Sequence, residues 1–300
     1  MHFARRLAIV SLAVTVAAFS MGAIPQVAHA ADSVESITLS PTSKSYKVDA
    51  GQEFNDSLTI LNDGDTAYDF TVYAAPYAVT SGSYDPSFTS TSANADAYTW
   101  IQFKQTLWHA EPRATVKVPY SVHVKNDASP GGHYGIIFAE VQPSASDTGT
   151  LARKKRVGAI IYATVNGDVH LDGNITSTSI AWYQSSGSLS ATTSVKNTGN
   201  SDFMANVTYQ VSDIFGKAKY TMQGDYAVLP STTRDIALNW ADAPWFGLYK
   251  ARVTTSFLDR NFVGESYVLI MPTWLLLLVC GVVFTGGIYA IWRWSSRKSR

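Results

Sequence analysis

Cysteine is almost absent from this chain: Cys280 is the single one in 300 residues, and it lies in a long apolar run. No disulfide can therefore form within the chain. An exported protein of this size without disulfides must be held together by its hydrophobic cores. The lack of cysteine argues against an animal cell-surface immunoglobulin domain with an inter-sheet disulfide, and it favours a bacterial surface protein.

Sequence motifs for catalysis and metal binding are missing too. There is no G-x-S-x-G elbow, no P-loop and no cysteine nucleophile outside the apolar run. The four histidines between the terminal segments lack metal-ligand spacing with each other, with cysteine or with paired carboxylates; they are His109, His123, His133 and His170. These absences predict a protein that is not an enzyme and uses no cofactor or metal. Carboxylates that converge only on folding would escape this argument, so a wall hydrolase remains an alternative.

Charge is absent from residues 274–292, a run of 19 residues. At about 1.5 Å per residue a helix of this length spans about 28 Å, close to the hydrocarbon thickness of a bilayer. Basic residues follow the run directly and should keep the tail 294–300 in the cytoplasm; they are Arg293, Arg297, Lys298 and Arg300. We therefore predict a single-pass transmembrane helix at 272–293.

The N-terminal segment carries a second membrane signal. Arg5 and Arg6 precede an apolar stretch, and Ala28 and Ala30 form an A-x-A site, which together predict a signal peptide over 1–30. The residues between the two signals would then be extracytoplasmic. Six of the 23 basic residues lie in the terminal segments, so the exported part has 17 basic against 23 acidic residues, a net charge of about −6. Nothing in this charge suggests a nucleic-acid partner.

Short strands are predicted along the whole exported part. Residues 68–73 and 115–124 alternate between apolar and polar side chains, as strands with one buried face do. Turn signals separate the strands; they are Asn62-Asp63-Gly64-Asp65, Ser129-Pro130-Gly131-Gly132, Asn166-Gly167 and Asn197-Thr198-Gly199-Asn200. The pattern predicts an all-β fold of two tandem immunoglobulin-like, antiparallel β-sandwiches, at 31–167 and 168–271.

A weak internal similarity supports this division, because residues 58–65 and residues 193–200 are each predicted to form a strand that ends in an Asn-rich turn. The Pro-Gly-Gly sequence at 130–132 is expected to build a tight turn into a strand rather than a catalytic site. Residues 80–98 and 144–150 are polar and are predicted to be surface loops; the first contains little core-forming material.

Two features are candidate ligand contacts. A basic run stands out in the acidic exported part; it comprises Arg153, Lys154, Lys155 and Arg156. An exposed loop or strand start is the simpler explanation of this run, and a contact for an anionic wall polymer or lipid headgroups is the alternative. Trp108 is the tryptophan that we expect to be exposed and available to a glycan or a protein. Core packing is expected to account for most of the other aromatic residues.

The order of these motifs resembles the WxL-interacting protein family of Gram-positive-type cell surfaces. The first-domain similarity includes the Ser40-Pro41 pair, the strand 58–63, the Ala75-Pro76-Tyr77 segment and the Pro-Gly-Gly turn; the second includes Asn197 to Asn200, Asp213 to Gly216 and Ala243 to Tyr249. The resemblance implies a non-enzymatic surface protein with two immunoglobulin-like domains and a membrane anchor. It further implies peptidoglycan binding by the first domain and host or partner binding by the second, in complexes with WxL-domain proteins.

The sequence thus predicts a membrane-anchored bacterial surface protein that binds peptidoglycan or another wall polymer, or else a surface protein, for example one of the WxL-domain type. A chaperone-like assembly factor for surface proteins is an alternative from another class, alongside the hydrolase. Such a factor would have a long unpaired edge strand, which can accept a strand of a partner by β-augmentation.

Overall fold

A computed structural model describes residues 36–142, 155–185 and 187–298. The predicted signal peptide and the predicted loop 144–150 lie outside the described residues. Within them the secondary structure is almost entirely strand, with one short 3-10 helix (Ala97–Trp100) and one α-helix, α1 (Thr273–Lys298). The all-β prediction is confirmed: the chain forms two tandem immunoglobulin-like sandwiches followed by one C-terminal helix.

The first sandwich packs two sheets, with strand orders β1-β3-β9-β7 and β2-β11-β10-β4-β8. Alternate side chains from the facing sheets form its core, which contains Leu58, Phe70, Trp100, Ile137 and Ile161. Its strands are β1 (Ile37–Ser40), β2 (Ser43–Val48), β3 (Glu53–Asn62), β4 (Tyr68–Pro76), β5 (Ala78–Val79), β6 (Pro86–Ser87), β7 (Ile101–Gln102), β8 (Leu107–Ala110), β9 (Thr115–His123), β10 (Gly131–Val141) and β11 (Arg156–Val165).

The second sandwich packs a three-stranded sheet, β12-β14-β17, on a five-stranded one, β13-β19-β18-β15-β16. Its core contains Leu189, Tyr209, Ile236, Leu238 and Ile270. Its strands are β12 (Gly173–Ile180), β13 (Tyr183–Gln184), β14 (Leu189–Asn197), β15 (Phe203–Asp213), β16 (Ala218–Val228), β17 (Thr233–Trp240), β18 (Gly247–Phe257) and β19 (Arg260–Ile270).

The prediction of purely antiparallel sheets is wrong at two places. β2 runs parallel to β11, and β13 runs parallel to β19. In the first sandwich, β1 pairs with β3 in one sheet, and β2 then pairs with β11 in the other. The strand therefore changes sheets near Pro41 without reversing its direction, which the alternation of side chains cannot reveal.

The similarity between residues 58–65 and residues 193–200 is also seen in the structure. Asn62 and Asn197 end the equivalent strands β3 and β14, and both side chains are fully buried. In each turn the Asn Oδ1 accepts the backbone N–H two residues later, from Gly64 at 3.0 Å and from Gly199 at 2.8 Å. In each turn Nδ2 donates to the carbonyl four residues later, and to at least one carbonyl of a neighbouring strand or loop.

The prediction that residues 80–98 form a loop without core material is wrong in part. β5 and β6 pair as a small hairpin, and the rings of Tyr84 and Phe88 pack on an apolar cluster outside the first core. This segment also joins the second sandwich: Gly82 N–H donates to Thr233 O at 2.8 Å, and Leu229 N–H donates to the Tyr84 hydroxyl at 2.8 Å. We call residues 78–95 the strap, because they connect the two sandwiches.

The Pro-Gly-Gly sequence does not form the tight turn that was predicted, because Gly131 and Gly132 are already the first two residues of β10. These residues contact the Asn-rich turn of the second sandwich. Gly131 has a φ of +120°, and a Cβ there would lie 2.5 Å from Asn200 O, so only glycine fits. Gly132 N–H donates to the same carbonyl at 2.8 Å. Beside this contact the Tyr134 hydroxyl donates to Asp202 Oδ1 at 2.9 Å. Burial raises the pKa of the Asp202 carboxyl.

Candidate partner-binding edge

β16 is the longest strand of the second sandwich that has a neighbour on one side only. It lies at the end of the five-stranded sheet and pairs with β15 from Ala218 to Val228, with one register shift beside Lys219. A strand at a sheet edge offers a row of backbone N–H and C=O groups to another extended segment. β16 therefore has the geometry that an incoming strand requires.

One hydrogen bond shows which backbone groups face outward. The carbonyl of Ala227 accepts a bond from Arg234 Nη1 at 2.6 Å, and Arg234 is on β17 in the opposite sheet. Since the backbone groups of an antiparallel strand alternate sides with a period of two residues, Thr221, Gln223 and Asp225 face the same way as Ala227. These three residues present six backbone hydrogen-bonding groups along the open side.

The side chains of β16 leave this row accessible. Tyr220, Met222 and Tyr226 are half-buried and pack against the second core. The two charged side chains of the strand are held by β15: Lys219 Nζ lies 3.2 Å from Asp213, and Asp225 Oδ1 accepts a hydrogen bond from Asn206 at 2.8 Å. The strand contains no proline, a residue that blocks strand addition at an edge.

The other described edges are shorter, irregular or partly covered. The longest partly covered one is on β19, which β13 pairs with only at Leu269 and Ile270. β17 is capped by the strap, because Gly82 bonds to both Thr233 and Asp235. β11 is covered by β2 from Ile160 onward, and among the described residues only 156–159 have no strand on that side. β12 is broken by an irregularity between Ile175 and Ser177. Edges β1, β2, β8, β7 and β13 are two to six residues long.

A cavity of about 360 Å³ lies between the strap, the start of β10 and the Leu229–Thr232 segment. Its lining is neutral: the polar residues, among them Asn94, Tyr134 and Ser231, include no carboxylate. A glycosidase needs two carboxyl groups flanking the scissile bond, so this cavity does not have the composition of a hydrolase site. In the part of the chain that the structure describes, no cluster of His, Cys, Asp and Glu could hold a metal ion.

The predicted polymer contacts are not brought together. Trp108 lies on β8, is half-buried against the first core, and donates its indole N–H to Gln105 O at 3.1 Å. Arg156 begins β11, where its guanidinium lies 4.1 Å from the centre of the Phe138 ring and donates to the Tyr73 hydroxyl. Lys155 is exposed, whereas Arg153 and Lys154 lie outside the described residues.

The tryptophans that are exposed are not the one that was predicted. Trp100 is buried and Trp240 is half-buried, as core packing requires, but Trp182 and Trp245 are exposed. The residue expected to be exposed, Trp108, is less accessible than either of these two. Of the tryptophans in the two sandwiches, the exposed ones therefore both lie in the second.

α1 begins at Thr273 and continues through Arg293, Arg297 and Lys298, so the first part of the predicted tail is helical. Arg300 lies outside the described residues. The segment from Thr273 to Trp292 is long and apolar enough to cross a membrane, and none of it is buried against the sandwiches.

The sequence alone does not identify β16 as an edge strand. Its alternation of Tyr220, Met222 and Tyr226 with polar residues is a recognisable strand signal. The position of a strand at the edge of a sheet depends on the pairing of all its neighbours, which this alternation does not contain. The signal therefore predicts the strand but not its open side.

Comparison with known proteins gives weak similarities only. No protein-family model and no curated protein matches the chain. Among solved structures, the class 5 fimbriae chaperone CfaA is 12% identical, covers 77% of this chain and 99% of its own, and has a TM-score of 0.41. The CupB2 chaperone of Pseudomonas aeruginosa is 8% identical, with coverages of 77% and 100% and a TM-score of 0.40.

A third solved structure is the Salmonella enterica SafA pilin in complex with the SafB chaperone. It is 14% identical, covers 79% of this chain and 97% of the matched chain, and has a TM-score of 0.40. Similarity at this level supports no conclusion about what the present chain does.

Proposed function

We propose that this chain is a non-enzymatic, membrane-anchored protein of the extracytoplasmic side that serves as a chaperone-like assembly factor. It holds an extended segment of a surface protein by strand addition along β16. The observation that carries the proposal is the open edge of β16, where Thr221, Gln223 and Asp225 turn their backbone groups outward. Recognition through backbone hydrogen bonds accepts many partner sequences, which suits a factor that handles surface subunits.

The energetics favour a reversible complex. Six backbone hydrogen bonds contribute about 1 kcal/mol each, or about 6 kcal/mol in total. Fixing a disordered segment of five residues costs about 1–2 kcal/mol per residue, or about 5–10 kcal/mol. Because these terms nearly cancel, net affinity depends on partner side chains that cover Tyr220, Met222 and Tyr226. A partner that finds a better-matched site elsewhere can leave, as assembly requires.

The location follows from the two terminal segments. α1 would cross the membrane once, and the basic residues that follow the apolar run would keep its C-terminal end in the cytoplasm. The predicted signal peptide would export the sandwiches. Together they would place β16 outside the cytoplasm, where surface proteins emerge.

Photocrosslinking on the edge tests the proposal. The full chain, with p-benzoylphenylalanine at exposed Thr221, is expressed in the source cell and irradiated. We expect a covalent adduct with a protein partner, and we expect Gln223→Pro to abolish it. Proline removes an N–H that β15 does not use and obstructs an added strand. Gln223→Ala keeps the backbone and should keep the adduct.

The outcome can contradict the proposal in two ways. An adduct that forms equally in the Gln223→Pro chain, with its melting temperature unchanged, would rule out strand addition at β16. An adduct that persists after a pulse label is chased, with no transfer of the partner to the assembled surface, would replace the chaperone role by permanent binding.

Wall-polymer binding and membership of the WxL-interacting family remain predictions. Among the described residues, Trp108 and Arg156 are engaged with their own sandwich and do not favour a polymer contact. Sedimentation of the full chain with insoluble peptidoglycan, at low and raised salt, tests the first prediction directly.

A further inference from the structure

Five apolar side chains are exposed at one end of the second sandwich, and we call them the apron: Ile214, Phe215, Trp245, Phe246 and Leu248. Phe215 is 89% exposed and Trp245 is 64% exposed. Leaving two large rings this open to water is unfavourable unless another surface covers them.

The strand register places the apron at the end of the sandwich where α1 starts. Gly247 pairs with Ile270, the last residue of β19, so Trp245 lies just beyond the end of that strand. Asp213 pairs with Tyr249, which pairs with Val268, so Phe215 lies level with Ile270. Both rings therefore lie beside the point where the chain leaves the sheet.

The turn that carries Phe215 is built to hold this side chain outward. Asp213 Oδ1 accepts the backbone N–H groups of Phe215 at 3.0 Å and of Lys217 at 2.9 Å. Gly216 has a φ of +84°, which completes the tight turn. The turn closes through these polar contacts, so the Phe215 ring is not needed for folding.

The connection from the sandwich to α1 is two residues long. Met271 is tied to the sheet, because its N–H donates to Gln184 O at 3.0 Å and its carbonyl accepts the Tyr183 hydroxyl at 2.9 Å. The apolar span begins at Thr273. Two extended residues reach at most about 7 Å, which matches the thickness of the headgroup layer on one side of a bilayer, about 5–7 Å.

We infer that the apron inserts into the headgroup layer of the bilayer that α1 spans, and so fixes the orientation of the second sandwich on the membrane. This inference rests on the proposed anchor. Aromatic rings are favoured at the membrane interface, and the exposed Lys217 beside Phe215 suits anionic headgroups. The acidic Asp213 at this end is paired with Lys219.

Fluorescence quenching by lipid tests the inference on the full chain reconstituted in nanodiscs. Native Cys280 lies in α1 and provides one labelling site. In a Cys280→Ser background, Phe215→Cys or Trp245→Cys provides the apron sites, each leaving the rest of the apron intact. Met204→Cys is the matched control, because Met204 is an exposed apolar residue on β15 about 30 Å from the turn.

Each chain carries an environment-sensitive fluorophore, and the nanodiscs contain lipids with a nitroxide near the headgroup. We expect strong quenching and a blue shift at 215 and 245, and neither at 204. Labels at 215 and 245 that are quenched no more than the label at 204 overturn the inference. Quenching at Cys280 by deeply placed nitroxides reports the anchor separately, so failure of the anchor is distinguishable from failure of the apron.

Discussion

Replacing Asn197 by alanine tests whether the buried Asn at the end of β14 fixes the second sandwich. Its side chain is fully buried and makes three hydrogen bonds, to Ser201 O at 2.9 Å, Val228 O at 2.8 Å and from Gly199 N–H at 2.8 Å. Each bond contributes about 1 kcal/mol net, and a buried partner left unsatisfied costs about 1–3 kcal/mol. We therefore expect Asn197→Ala to lower the free energy of unfolding by about 3–5 kcal/mol.

The assay is thermal and urea unfolding of the full chain in detergent micelles. At about 2–4 °C per kcal/mol for a folded unit of about 150–250 residues, the size range of the two sandwiches together, the melting temperature should fall by about 6–20 °C. Asn206→Ala is the control, because Asn206 is a half-exposed strand residue that donates to the Asp225 side chain. We expect this variant to change stability by less than about 0.5 kcal/mol.

Asn197→Asp separates the donors from the acceptor. The carboxylate keeps the acceptor for Gly199 N–H but removes both donors and turns negative oxygen toward two carbonyls, so it should destabilise at least as much as alanine. Wild-type stability of either the alanine or the aspartate variant would refute the argument. Asn62→Ala should have an effect of similar size on the first sandwich, because the two turns share their bonding.

Two further predictions concern contacts near the first sandwich. Burial lowers the pKa of His133, but hydrogen bonds to Asp96 at 2.6 Å and to Ser129 O at 2.8 Å raise it on balance above its usual value. The stabilisation from charged His133 should be complete below the unfolded pKa of about 6.5 and be lost as pH rises through the folded pKa. His133→Gln should therefore remove this pH dependence from melting temperatures measured at pH 5–9. An unchanged pH dependence would show that His133 is not its source. Tyr84→Phe should lower stability by about 1–3 kcal/mol and speed amide exchange at Leu229, whose N–H loses its acceptor; unchanged exchange there would show that the strap does not hold this segment.

Local sequence is sufficient to predict the strands and the Asn-rich turns. Alternating side chains predict β4 and β9, and the Asn-rich turns at Asn62 and Asn197 follow from local chemistry, so no distant residue was needed to anticipate them. The run 274–292 likewise predicts α1 by itself. In each case a segment of about 20 residues or fewer contains the whole signal.

Features that depend on contacts between segments distant in the chain cannot be predicted from local sequence. The exposure of Trp245 and the half-burial of Trp108 are set by which strand each residue adjoins. The sequence of the strap predicts a surface loop, because its few apolar residues, Tyr84 and Phe88 among them, are separated by Ser, Thr and Asp. Their packing partners on β10 lie about 50 residues later in the chain.

The two-residue connection at Met271 and Pro272 limits where a partner can be met. Asp225 is level with Asn206, then Ser256 and then Asn261, nine residues before the end of β19. At about 3.3 Å per residue, the open row on β16 therefore ends about 30 Å along the sheet from the point where the chain enters α1. If β16 adds a partner strand as proposed, this short tether would restrict it to extended segments within about 30 Å of the membrane surface, and segments that had moved farther outward would be beyond its reach.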